Sequence, residues 1–211
     1  MIAAGVAIEQ LGSDDTPGAG SAPTATSDAS AKSPSSSAPT AQGRSTTPAA
    51  ECATEIRTTE AVVAAARTAA GHWREHVQAR TDLLSGKNSV ATTKAIWKRT
   101  RLAGPADIAK LKTATAAQVT GNDGCAKLSG TAAVACRQRL TALEVAAAKN
   151  RAAAGDWANH LAMMAAHAAG DFGAEHAQQM WVAAWMGAAK NLNAAVRADT
   201  ALAKAPPCHL S

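Results

Sequence analysis

From Glu51 to about Ser85, apolar side chains return every seventh residue: Ile56, Val63, Ala70, Val77 and Leu84, with Ala66 and Trp73 on the intervening line. That spacing gathers them into one stripe on a helix, of the kind that packs in a bundle. Ser85-Gly86-Lys87-Asn88-Ser89 carries the stop and turn signals. A second helix is predicted over about 89–119, with Ile96, Trp97, Ile108 and Leu111 as its apolar residues. Gly104-Pro105 inside it should kink or break it, because proline lacks the backbone donor and clashes with the preceding turn. Gly121-Asn122-Asp123-Gly124 reads as a loop. A third helix follows over about 131–168, then a turn at Gly170-Asp171-Phe172-Gly173 and a fourth helix over about 174–204, which Pro206-Pro207 ends.

The second half of this pattern restates the first. Ala69-Ala70-Gly71-His72-Trp73-Arg74-Glu75-His76 reappears 84 residues on as Ala153-Ala154-Gly155-Asp156-Trp157-Ala158-Asn159-His160. The same offset relates Cys52 to Cys136, Glu60 to Glu144, Arg67 to Arg151, Gly86 to Gly170 and Trp97 to Trp181. So many residue types at one offset indicate a tandem duplication, with repeat one over 51–126 and repeat two over 135–209. Two helical hairpins in tandem predict an all-α fold, an up-down-up-down four-helix bundle. The halves would be related by a pseudo-twofold axis, with the first and third helices diagonal and parallel.

The chain before the pattern is different. Residues 1–11 are largely apolar but too short to span a bilayer, and they lack a basic leader. They are expected to be the remnant of an export signal or a membrane anchor. Residues 12–50 are Ser, Ala, Thr, Pro and Gly with few charges. Such a segment cannot bury enough apolar surface to offset its ordering entropy, so it is expected to be a disordered spacer.

Composition sharpens the class. Aromatic residues make up 3% of the 211, with no Tyr and one Phe, while Ala is abundant. Strand formers are scarce and the best helix former dominates. The net charge of +5 is modest. Lys94, Lys98, Arg99 and Arg101 cluster, but this reads as a solvated helix face, and no basic stripe points to nucleic acid. Four cysteines fit an oxidising compartment. Cys52 and Cys125 flank the first hairpin; Cys136 and Cys208 flank the second. Three pairings are open. The one that respects the repeat, Cys52–Cys125 with Cys136–Cys208, staples each hairpin and is worth on the order of 4 kcal/mol per bond. The rival, a zinc site, lacks any C-x-x-C pair.

Candidate chemistry lies mostly with histidine. His72-Trp73-Arg74-Glu75-His76 matches the H-x-x-E-H pattern of some zinc peptidases. The second half keeps Trp and the last His but replaces His72 and Glu75, and His72 falls where a bundle helix faces solvent. That reading is set aside. His76 and His160 instead fall beside the core line of Trp73 and Trp157, each 24 residues beyond its half's first cysteine (Cys52, Cys136). Met164 and His167 continue the His160 stripe, and His176 and Met180 follow the turn. Imidazole with thioether suits copper, and thioether favours Cu(I). Against this stands plain packing, with His bonded to neighbours and Met filling gaps. Arg80 stands where the second half has Met164. C-x-x-C-H for haem, Glu-x-x-His for a di-iron bundle and G-x-S-x-G for a hydrolase are all missing. No catalytic residue is assigned. Trp73, Trp97, Trp157, Trp181 and Trp185 are expected in the core.

Trp73, His76, Gly86 and Trp97, repeated as Trp157, His160, Gly170 and Trp181, resemble a family of uncharacterised exported bacterial proteins that carry this motif twice with flanking cysteines. The resemblance covers about residues 52–208 and implies export and a helical bundle. It implies no reaction. The expected role is a non-enzymatic binding or interaction module of the cell envelope with an envelope or extracellular partner. The alternative is a copper-binding or copper-sensing bundle.

Overall fold

The structure is a computed structural model that describes residues 47–118 and 123–210. The apolar N-terminus, nearly all of the spacer, and Gly121 and Asn122 of the loop lie outside the described residues. Among those described, the chain is all helical, without strands: α1 (Pro48–Leu84), α2 (Val90–Ala116), a short α3 (Gly124–Lys127), α4 (Thr131–Ala169) and α5 (Ala174–Lys204).

Three sequence expectations need correction. First, α1 starts at Pro48, inside the stretch assigned to the spacer. The Thr47 hydroxyl accepts a bond from Ala50 N at 3.3 Å and Pro48 opens the helix. A capping side chain followed by proline is a start signal, since proline's missing donor would have no helical partner there. Second, α2 runs through Pro105 without a break. Gly104 beside it is where α2 meets α4: a Cβ there would sit 2.5 Å from Leu161 Cδ1 and 3.1 Å from Trp157 Nε1. Third, a helical turn, α3, replaces the end of the expected loop. Its first amides, Gly124 N and Cys125 N, each donate at 3.1 Å to the buried carboxylate of Glu55. That carboxylate satisfies donors that a helix start otherwise leaves open.

The expected stripe on α1 is buried at Ile56, Val63, Ala66, Ala70 and Trp73; Val77 is half-buried and Leu84, at the helix end, is 54% exposed. On α2 the buried residues are Thr93, Thr100, Gly104, Asp107 and Leu111, while Ile96, Trp97 and Ile108 are half-buried. The inner face of α2 is thus largely polar, which an apolar search could not find.

The widest interface joins α1 to α4. α2 lies on α1 and α5 on α4, while α2 touches α4 and α5 touches α1 along narrower strips. Alanine makes the central contact close: Ala66, Ala69, Ala70, Ala146, Ala147, Ala153 and Ala154 are all at most 2% exposed. Trp73 and Trp157 then fill the gap, their ring centroids 5.5 Å apart. The α1 and α4 helices run parallel and in register, since Cys52 meets Cys136, Trp73 meets Trp157 and His76 meets His160. The bonds His76–Thr100 and Thr59–Gln118 run α1 against α2 in opposite directions; Asn150–Asp199 and Asp156–Asn191 do the same for α4 and α5.

Disulfides join Cys52 to Cys125 and Cys136 to Cys208, across sequence separations of 73 and 72. The two bonds abut at one end, where the sulfurs of Cys52, Cys136 and Cys208 lie within 4.8 Å of one another. No helix among the described residues is long and apolar enough to cross a membrane.

Candidate metal centre

The register of α1 and α4 brings His76 and His160 together at the centre, 8% and 5% exposed. Their ring centroids are 5.0 Å apart and edge to face. Each ring also lies 5.0 Å from the indole of the opposite helix, His76 from Trp157 and His160 from Trp73. Trp97 closes over His76 at 5.8 Å, and its indole N–H donates to the His76 carbonyl at 3.0 Å.

The two imidazoles differ in their hydrogen bonds. The Thr100 hydroxyl donates back to Ile96 O at 2.9 Å and lies 2.8 Å from His76 Nδ1. With its proton spent on Ile96, it accepts from His76 Nδ1–H, which leaves Nε2 with the free lone pair. His160 Nδ1 is buried without a partner, as are the indole nitrogens of Trp73 and Trp157. Burial, reinforced by His160 and then Arg101, lowers the His76 pKa to about 3. Burial alone lowers that of His160 to about 4. Both rings are therefore neutral near pH 7, the form in which imidazole binds a metal.

The other candidates fall elsewhere. Met164, one turn beyond His160, is half-buried against the core. His167 accompanies the turn: its Nδ1 lies 3.1 Å from Phe172 O, and its ring is 5.8 Å from Phe172 and 5.4 Å from Trp181. His176 is exposed and meets the other edge of Phe172 at 5.3 Å. Met180 is half-buried on the same part of α5. The structure thus brings His76 and His160 into contact, and groups His167 and His176 around Phe172. Arg80 lies with its guanidinium 5.2 Å over Trp185, and burial lowers its pKa.

The H-x-x-E-H residues diverge. His72, expected to face solvent, is half-buried with Nδ1 2.5 Å from Asp107 Oδ2. The side chain of Glu75 pairs with Arg99. The His72–Asp107 link has a counterpart 84 residues on, where Asn191 Nδ2 donates to Asp156 Oδ2 at 2.9 Å. A link that persists with different chemistry is a tie between helices. Sequence reading missed Thr100, Asp107 and Asn191. The signal was there: adding 84 to each residue around a candidate His shows which polar neighbours change.

Among the described residues, the only group of three or more His, Cys, Asp or Glu donors within 4.8 Å is Cys52, Cys136 and Cys208. Those sulfurs are engaged in disulfides. The chain matches no family model, no curated protein and no solved structure.

Proposed function

We propose that the chain is an exported, non-enzymatic binding module of the cell envelope, and that its ligand is copper held between His76 and His160. One observation carries this reading: two imidazoles meet at the buried centre, and one of them keeps a nitrogen without a partner. Burying an unpaired polar atom costs about 1–3 kcal/mol, which a ligand at that atom would offset. Imidazole is a copper donor, and the Met164 thioether, one turn along α4, is another. His167, His176 and Met180, at the turn end, form an outer group on the same side of the His160 stripe.

The module is read as an up-down-up-down four-helix bundle made by duplicating one hairpin. Support comes from contacts between positions 84 residues apart and from the paired ties His72–Asp107 and Asp156–Asn191. Two disulfides fit an oxidising compartment, and a spacer of the kind read over 12–50 would hold the module away from a membrane. The non-enzymatic reading follows from the tie: the imidazole–carboxylate pair His72–Asp107 becomes Asp–Asn in the second half, so it serves to join helices.

Metal analysis of protein purified from an oxidising compartment, followed by copper titration at micromolar protein, tests the proposal. About one copper per chain, lost in His160→Ala, is expected. No bound or titratable copper would sink it.

A further inference from the structure

We infer that the His76/His160 centre is selective for monovalent copper, taking Cu(I) between two imidazoles and rejecting Cu(II) and Zn(II). The inference rests on the copper reading above and specifies which ion that site accepts.

Donor number is the first argument. No third His, Cys, Asp or Glu donor joins the pair within 4.8 Å among the described residues. Zn(II) takes four ligands in a tetrahedron, and Cu(II) favours a tetragonal set of N and O donors. Cu(I), a soft d10 ion, is content with two nitrogens or with two nitrogens and a thioether. Met164 is the one soft side chain that the His160 stripe supplies one turn away.

Charge is the second. The nearest carboxylates on α1 and α2 are committed, Asp107 to His72 and Glu75 to Arg99. The charged group that acts on His76 is a cation, Arg101. A divalent ion would meet twice the repulsion of a monovalent one and would lose far more hydration on entering. The walls around the pair are the rings of Trp73, Trp157 and Trp97, which offer π faces to a cation but no acceptor for the waters a divalent ion retains.

Ligand orientation is the third. Thr100 holds His76 through Nδ1, as outer partners of metal-bound histidines do, and so presents Nε2. His160 has no such restraint. Ala184 stands where Thr100 stands in the first half, so that ring can turn to complete a two-coordinate ion.

The test uses the full chain with disulfides intact. Acetonitrile-stabilised Cu(I) is titrated without oxygen against a chromophoric Cu(I) chelator. Cu(II) and Zn(II) are titrated separately, followed by Trp fluorescence. His160→Gln and His76→Gln are run beside the wild type, with thermal melts to verify folding. One Cu(I) per chain is expected, weakened by about 100-fold or more in either variant. Any Zn(II) or Cu(II) response should be the same in wild type and variants. Divalent binding that His160→Gln abolishes, at an affinity within about tenfold of Cu(I), would overturn the selectivity and leave the copper reading intact. If no ion binds in a way that depends on either histidine, the copper reading falls as well.

Discussion

Thr100 Oγ1 lies 2.8 Å from His76 Nδ1, whereas Ala184, at the matching place in the second half, gives His160 Nδ1 nothing to bond. The duplicated hairpins have kept both imidazoles and dropped one of the two hydroxyls that would restrain them. Restoring the hydroxyl with Ala184→Thr is expected to raise the unfolding free energy by about 1 kcal/mol, by pairing a buried nitrogen. Thr100→Val is expected to lower it by about 1–3 kcal/mol, because it leaves His76 Nδ1–H buried and unpaired. Urea denaturation reads both. A destabilised Ala184→Thr together with an unchanged Thr100→Val would contradict the asymmetry.

Stability should fall as pH drops below neutrality. The unfolded chain takes up protons at both imidazoles near 6.5, but the folded chain resists until about 3 at His76 and about 4 at His160. Between those values the unfolded state binds more protons, so the stabilisation is complete above about 6.5 and is lost on acidification. Each histidine adds a slope of about 1.4 kcal/mol per pH unit in that window. Denaturation between pH 7 and pH 4.5 should show His160→Gln losing about half of the slope that the pair contributes. Equal slopes in variant and wild type would show that His160 is not shielded.

Much of this fold is legible in the sequence, and the reasons for the remainder are specific. Heptad spacing locates the four long helices because the apolar stripe of α1 is continuous, and Gly86 and Gly170, at φ of +74° and +87°, mark equivalent turns. The inner face of α2 is not legible that way. It is built from Thr93, Thr100, Gly104 and Asp107, whose burial depends on partners such as His72 and His76. Pro105 misleads because a local rule foresees a break where packing across Gly104 keeps α2 whole. The meeting of His76 and His160 follows from the offset of 84. The lost partner of His160 appears only once Thr100 is seen to bond its twin.

Each disulfide should contribute on the order of 4 kcal/mol, as its loop is long. The separations of 73 and 72 are nearly equal, so the paired variants Cys52→Ala/Cys125→Ala and Cys136→Ala/Cys208→Ala should lose similar stability. Thermal melts measure this, and peptide mass mapping of the oxidised protein checks the pairing. A Cys52–Cys136 peptide would contradict the account, even though those sulfurs are close.

Two glycines should respond in opposite directions. A Cβ on Gly124 would lie 2.5 Å from Cys52 N and 2.6 Å from Glu51 C, backbone atoms that cannot swing aside. Gly124→Ala is expected to cost about 1–3 kcal/mol. Gly155, inside α4, has nothing within 4 Å of such a Cβ. Gly155→Ala should therefore stabilise by about 0.5–1 kcal/mol, by reducing the freedom of the unfolded chain. Urea midpoints that move the same way in both variants would contradict the close contact between α3 and α1.

X-ray absorption at the copper edge of Cu(I)-loaded protein tests the central claim most directly. The account predicts a low-coordinate Cu(I) with two imidazole nitrogens, and the loss of one imidazole signal in His160→Gln. A spectrum dominated by sulfur from the cysteines, or imidazole scattering unchanged in His160→Gln, would contradict it.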